Sequence, residues 1–227
     1  MLPDLVVSRL YTAVVSDILD DLGHRDHVLD SAIRPRVSGQ VIAGPANPFL
    51  VTEVDQIAAE PYTGEIAALD DVRPGEIILV AAGGSARAAC WGELFSTAAR
   101  ARGARGTVID GYCRDARSIA ALGYPVWCRG MLPLDCKGRV AVTGWRQPAV
   151  VGGLPVSPGD LVVADDDGAV IVPAGLADQT IRLALAKASK EHGLRDALEA
   201  GSTLRAAYDR FGVLSPAQPE TPPQPGV

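Results

Sequence analysis

Apolar side chains at Leu5, Val6, Leu10, Val14, Val15, Ile18 and Leu22 recur close to the helical period, and Gly23 supplies a stop. The spacing predicts one amphipathic helix over residues 5–22. Beyond Val37 the pattern changes to short β-branched runs bounded by glycine and proline, which predict strands at 40–43, 49–54, 76–82, 106–110, 124–128 and 139–143. Two segments share a device: Pro74-Gly75-Glu76 and Pro158-Gly159-Asp160 each set a Pro-Gly pair, suited to a type II turn, directly before an apolar run. The second run passes through Asp165-Asp166-Asp167-Gly168 into Ala169-Val170-Ile171-Val172, a hairpin pattern. Helices are predicted over 91–102 and 116–122, each closed by a glycine (Gly103, Gly123), and over 177–200, weakened or bent at Gly193. Residues 215–227 hold five prolines and almost no apolar content, so burial cannot offset their ordering entropy. A tail is expected there, after a single domain spanning 1–214.

Composition narrows the class of partner. The 227 residues are 48% hydrophobic and 21% charged, enough for one substantial core. Lys and Arg total 21 against 27 for Asp and Glu, a net charge of -6, and no basic run could follow a phosphate backbone, so nucleic acid is not the expected ligand. No cationic leader precedes an apolar stretch and no run of about 18 apolar residues occurs, so neither secretion nor a membrane partner is indicated. Cys90, Cys113, Cys128 and Cys136 lack C-x-x-C spacing, and His24, His27 and His192 do not complete a zinc site. Reduced thiols and a cytoplasmic location are the expectation. The acidic turn at 165–167 has Leu176 where a calcium loop needs its twelfth-position Glu, so it reads as a solvated turn.

Three segments could carry chemistry. Ala81-Ala82-Gly83-Gly84-Ser85 follows a strand but lacks the G-x-G-x-x-G of a dinucleotide site, and its glycines suit a sharp strand exit. Trp91-Gly92-Glu93-Leu94-Phe95 opens a helix whose first amides have no intrahelical partner and could receive a carboxylate or enolate oxygen; equally, Glu93 is a favourable first-turn acid and Trp91 a core residue. Asp110-Gly111-Tyr112-Cys113-Arg114-Asp115 lies beyond a strand and sets Arg beside Asp, a bidentate donor next to a hard oxygen ligand. On the plainer reading Asp115 caps the helix that follows and Arg114 is a surface cation.

Taken together, Trp91-Gly92-Glu93 and Gly106-Thr107-Val108-Ile109-Asp110-Gly111-x-x-Arg114-Asp115 resemble the signature of the RraA-like / 4-hydroxy-4-methyl-2-oxoglutarate (HMG) aldolase family. Ser16-Asp17-Ile18-Leu19-Asp20, Ala43-Gly44-Pro45-Ala46, the two Pro-Gly-acid turns and Lys190-Glu191-x-x-Leu194-Arg195 extend the resemblance over roughly residues 5–205. It implies a compact single α/β domain of packed β-sheets with flanking helices, a swivelling β/β/α-like fold, assembled as trimers or hexamers with sites at subunit interfaces. It implies that Asp115 ligates a divalent metal, Mg²⁺ or Mn²⁺, while Glu93 and, from the neighbouring subunit, Glu191 hold metal-bound waters. Arg114 would contact the substrate, and the backbone around Gly92, Glu93, Leu94 and Phe95 would receive a pyruvyl carboxylate.

The activity so implied is cleavage of a 4-hydroxy-2-oxo acid to pyruvate, with Arg114, Glu93 and Glu191 as the catalytic set; loss of CO₂ from oxaloacetate would give the same enolate. The rival implication is a non-catalytic regulator that binds a ribonuclease or another protein, as RraA-like members do. Regulators of that kind can lack the aspartate after the loop arginine, and Asp115 is present here. A methyltransferase label has no Gly-rich cofactor loop to support it.

Overall fold

The computed structural model describes residues 2–212; the expected tail at 215–227 lies outside the described residues. The strands are β1 (Arg34–Pro35), β2 (Ile42–Glu53), β3 (Ile77–Ala81), β4 (Ala89–Trp91), β5 (Gly106–Cys113), β6 (Val126–Met131), β7 (Val140–Trp145), β8 (Ala149–Val151), β9 (Leu154–Val156), β10 (Leu161–Asp165) and β11 (Gly168–Val172). The helices are α1 (Asp4–Val7), α2 (Thr12–Asp21), α3 (Thr63–Asp70), α4 (Glu93–Ala101), α5 (Ala116–Leu122), α6 (Ala177–Glu199) and α7 (Leu204–Phe211). The main sheet runs β1-β6-β5-β3-β2-β10-β11, with β4 beside β5 and β7 beside β2, while β8 and β9 pair separately. Neighbours among β2, β3, β5, β6 and β4 are parallel, and the remaining pairs are antiparallel. The sheet is mixed and nearly closed, with helices flanking it in one domain, as the sequence led one to expect.

Strand pleating sorts the core into layers, because successive side chains point to opposite faces. Ile78 and Val80 pack with Ile109, Val126 and Cys128 under Leu69, Ala99 and Ile119 of α3, α4 and α5. Ile77 and Leu79 point the other way and meet Val108, Trp127, Val162, Ala164 and Ile171 inside the curled sheet. A third cluster sets Val14, Val15, Ile18 and Leu19 of α2 and Ala184 of α6 against Ala43, Val163, Val170 and Val172. No helix among the described residues is long and apolar enough to cross a membrane.

Several expectations are corrected. The single opening helix is two helices, because the Asp165 carboxylate accepts from both the Thr12 amide and the Thr12 hydroxyl at 2.7 Å, so α2 starts at Thr12 after an extended Tyr11. The same contact corrects the solvated turn at one position only: Asp165 is buried, whereas Asp166, which accepts from the Ser38 hydroxyl at 2.7 Å, and Asp167 are exposed as expected. The strands expected at 40–43 and 49–54 are one strand, β2. It runs through Pro48 because β10 pairs with Ile42–Pro45 and β7 with Phe49–Glu53; Pro48 lies at the seam, its carbonyl accepting from Arg146 N at 3.0 Å. Helix α6 continues through Gly193, where a Cβ would stand 2.8 Å from the Phe211 ring; the glycine seats α7 rather than weakening α6. Gly75 and Gly159, at φ +88° and +90°, do make the expected left-handed turns before β3 and β10.

Thr12→Val keeps shape but removes the hydroxyl that Asp165 Oδ1 accepts from. Because Asp165 Oδ1 still accepts from the Asp167 amide at 2.9 Å, the expected result is a loss of about 1.5–3 kcal/mol, the usual contribution of one hydrogen bond to a charged group, seen as a lower urea midpoint at unchanged m-value. An unchanged midpoint would show that this contact does not hold α2.

Candidate active site

Strand β4 ends at Trp91, which is buried, and its indole N–H donates to the Ser96 hydroxyl at 2.9 Å; that hydroxyl donates in turn to the Gly92 carbonyl at 3.0 Å. The Phe95 ring meets Trp91 edge-on, with centroids 5.7 Å apart at 72°. These contacts fix the first turn of α4, whose N-terminal residue Gly92 has no side chain to cap the free amides. The cap comes from another loop: Asp115 Oδ2 accepts from Glu93 N at 3.1 Å. A Cβ on Gly92 would stand 2.7 Å from that same oxygen and 3.2 Å from Arg114 Cγ, so glycine is what lets the two loops close on each other.

The second loop leaves the C-terminal end of β5. Arg114 N donates to the Trp91 carbonyl at 3.0 Å, stitching it to β4. Asp115 then adopts the left-handed region, φ +61°, which aspartate tolerates better than most residues. It precedes α5 but makes no side-chain cap to it, so the plainer reading of Asp115 as the cap of its own helix does not hold; it serves α4 instead. The Arg114 guanidinium lies between two carboxylates, Asp135 Oδ1 at 3.3 Å from Nη1 and Asp115 Oδ2 at 3.7 Å from Nε, with its side chain 38% exposed. Asp110, at the start of the same hexapeptide, faces away from this loop pair into the fold, where it is buried and accepts from Arg129 Nε at 2.5 Å and Gly152 N at 2.8 Å.

Two residues that the sequence did not single out complete the site. The Tyr62 hydroxyl donates to Asp135 Oδ2 at 2.6 Å, and Tyr62 too is left-handed, φ +66°, just before α3. That hydrogen bond, with partial burial and the carboxylate charge, pushes the phenol up to about 12. Burial alone would raise the Asp135 carboxyl, but the Tyr62 hydroxyl and the Arg114 charge outweigh it and hold Asp135 below its ordinary value. Only contact across the fold joins Tyr62 and Asp135 to Arg114, so no spacing signal marked Tyr62 or Asp135.

These groups line a cavity of about 300 Å³ whose wall includes Tyr62, Ile66, Trp91, Leu94, Phe95, Arg114 and Asp115. A second depression of about 290 Å³ lies against Arg114, Asp115, Met131 and Leu132. Of the residues expected at the site, Gly92, Glu93, Leu94, Phe95, Arg114 and Asp115 come together. The Glu93 carboxylate accepts from the Thr97 hydroxyl at 2.7 Å along α4. Glu191 is on α6, where the Tyr11 hydroxyl donates to it. Among the described residues of one chain, no group of three His, Cys, Asp or Glu is placed to hold a metal ion. All four cysteines are free and buried, and burial pushes the Cys90 and Cys136 thiols up to about 12, which leaves neither poised as a nucleophile.

A raised phenol pKa means that the Tyr62–Asp135 bond contributes stability fully below the unfolded value of 10.0 and loses it as pH climbs toward 12. Asp135→Asn should bring the Tyr62 ionisation back toward 10 and weaken the protein below pH 10, with the difference from the parent protein shrinking as pH rises from 10 to 12. The phenolate absorbance change, isolated by subtracting Tyr62→Phe, checks this; an unmoved titration would show that Asp135 does not hold the phenol.

Comparison with known proteins places the chain in a family. A family profile described as RraA-like, Aldolase/RraA, matches residues 12–171. A protein of Halalkalibacterium halodurans, provisionally named 4-hydroxy-4-methyl-2-oxoglutarate aldolase, is 30% identical over 197 residues, covering 87% of this chain and 89% of the relative. Among solved structures, an uncharacterized protein of Pseudomonas syringae pv. tomato superposes with a TM-score of 0.79 at 32% identity, over 91% of this chain and 98% of that one. RraAS2 of Streptomyces coelicolor, described as an unusual member of the RNase ES inhibitor RraA family, superposes with a TM-score of 0.75 at 32% identity, over 84% and 95%. With the profile spanning most of the chain and the fold shared nearly end to end, the chain belongs to the RraA-like, Aldolase/RraA family.

Proposed function

We propose that the protein is a divalent-metal-dependent lyase that cleaves a 4-hydroxy-2-oxo acid to pyruvate and a carbonyl compound, and that the same site decarboxylates oxaloacetate. The observation that carries this reading is the convergence of Arg114, Asp115 and the amide end of α4 on one cavity. Donor chemistry supports a hard cation: Asp115 and Glu93 offer carboxylate oxygens, the thiols are buried, and Gly92 keeps the space beside Asp115 Oδ2 clear. In this reading Asp115 holds Mg²⁺ or Mn²⁺ directly, and Glu93 with Glu191 of the partner subunit completes the set through water. The cation supplies Lewis acidity toward the carboxylate and 2-oxo oxygens of the substrate.

The chain's own groups do the rest. The first-turn amides of α4 at Leu94 and Phe95 receive the pyruvyl carboxylate, favoured by the helix dipole. Glu93 or Glu191 takes the 4-hydroxyl proton through water as the C3–C4 bond breaks, C4 becomes a carbonyl, and the electron pair enters the enolate. Arg114 shares the charge that develops there. A proton delivered to C3 completes pyruvate. With oxaloacetate the same bond breaks, CO₂ leaves, and the same enolate forms.

A second reading, a regulator that binds a ribonuclease or other protein, is favoured by the likeness to RraAS2, which is as close in identity as the aldolase-named relative. The presence of Asp115, held beside Arg114, tips the balance toward the lyase.

Pyruvate release from 4-hydroxy-2-oxo acids and oxaloacetate should vanish in excess EDTA and return with Mg²⁺ or Mn²⁺, and Asp115→Asn should abolish it while the protein still melts cooperatively. Full turnover in EDTA would sink the metal-dependent reading. Because a guanidinium contacts two oxygens and an ammonium one, Arg114→Lys should lower kcat about a hundredfold to a thousandfold with a smaller change in KM. Wild-type kcat in that variant would return Arg114 to the status of a surface cation.

A further inference from the structure

We infer that Asp135 and Tyr62 are positioning residues for Arg114: through one charge and one hydrogen bond they fix the plane in which the guanidinium meets the substrate. The inference rests on the lyase reading, in which Arg114 shares the charge that develops as the C3–C4 bond breaks. A guanidinium acts by aiming two N–H groups at two oxygens, so its orientation matters as much as its charge. No aligned hydrogen bond supplies that orientation here. The contacts of Arg114 with Asp135 at 3.3 Å and Asp115 at 3.7 Å are ion pairs, and among the described residues its side chain donates no hydrogen bond. The two carboxylates hold the group by charge, at Nη1 and at Nε, while its N–H groups stay available to a ligand.

The segment that carries Asp135 is stitched to both strands of the site. Leu132 N donates to the Cys113 carbonyl at 2.9 Å, Ala89 N donates to the Leu134 carbonyl at 3.0 Å, and Arg139 Nη1 donates to the Asp135 carbonyl at 2.9 Å. The carboxylate is then divided between two partners, Oδ2 accepting from the Tyr62 hydroxyl at 2.6 Å and Oδ1 facing Arg114. Without that hydroxyl it is free to turn about its Cβ–Cγ bond. Stability does not account for the arrangement: with side chains 38% and 32% exposed, the Arg114–Asp135 pair adds little to the fold, whereas holding Tyr62 at φ +66° costs it. Tyr62 and Arg114 both line the cavity, so what the three side chains fix in place is a wall of the site.

Asp135→Asn keeps the shape and removes the charge. With oxaloacetate at saturating Mg²⁺ it should lower kcat about tenfold to a hundredfold with a smaller change in KM, the usual cost of losing a partner that orients a ligating group. Tyr62→Phe should lower kcat in the same direction by less. In Arg114→Lys, where an ammonium has no plane to orient, adding Asp135→Asn should cost less than about twofold more; a merely structural role would multiply the two losses. A readout without metal or substrate comes from ¹⁵N-arginine labelling. The Nε–H heteronuclear NOE of Arg114, its peak identified by its absence from Arg114→Lys, should fall in Asp135→Asn to the level of freely moving side chains. That fall, with no pyruvate release from any variant or from the parent protein, would leave the positioning standing and remove only the lyase reading. An Arg114 signal as ordered in Asp135→Asn and Tyr62→Phe as in the parent, wild-type kcat in Asp135→Asn, or losses that multiply in the double variant would overturn the inference.

Discussion

The polar groups of this molecule are arranged around a sheet centre that is almost wholly apolar. Ile77, Ile78, Leu79 and Val80 are all buried, as are Val108 and Ile109 beside them, because helices seal one face and the curled sheet seals the other. Such strands read as continuous apolar runs, and their chemistry must sit past their ends. In parallel strands those ends lie together, beside the N-termini of the helices that follow. Here β4 and β5 deliver α4 and α5 to one place, and the loops after them carry Trp91-Gly92-Glu93 and Arg114-Asp115. Where a charge does enter the sheet it is paired on the spot: Asp110 takes Arg129 and an amide, and Glu76 takes Asn47 and Arg146.

Backbone strain separates two kinds of site. Tyr62, Asp115 and Arg146 are the non-glycine residues with positive φ among those described, each worth about 1–3 kcal/mol of strain that neighbouring contacts must hold. Arg146 is held by ion pairs to Glu76 and Asp71, in a network that is buried at Glu76, exposed at Asp71 and not part of the wall of the site cavity. Tyr62 and Asp115 are held just as firmly, by Asp135 and by the Glu93 amide, but both line the cavity. Strain alone therefore does not mark function.

What was legible in the sequence follows from range. The Pro-Gly turns before β3 and β10, the glycine stops at Gly103 and Gly123 and the hairpin of β10 and β11 are local events, and each lies where the pattern put it. The motif residues from Gly92 to Asp115 were each ambiguous taken alone and stood out only through the combined resemblance to the family signature. The break between α1 and α2 was not, because its cause, Asp165, is 153 residues from Thr12. Helix α3 was missed, since Thr-Gly-Glu-Ile-Ala-Ala-Leu-Asp is short and without a clear apolar period, and the role of Tyr62 at its start was missed with it. Asp135 was invisible for the same reason. It sits in a loop of ordinary composition, and only the third dimension sets it against Arg114.

The amide end of α4 gives a physical reason for linking a metal to this site. A helix N-terminus carries about half a positive charge, and Asp115 already draws on it through the Glu93 amide. A pyruvyl carboxylate docking on the next amides would place a second anion beside the first. Arg114 cannot neutralise both, because its single charge is also shared with Asp135. On the lyase reading, then, one cation faces two protein carboxylates and a substrate anion, and the deficit is two charges. One divalent ion at Asp115 closes that deficit.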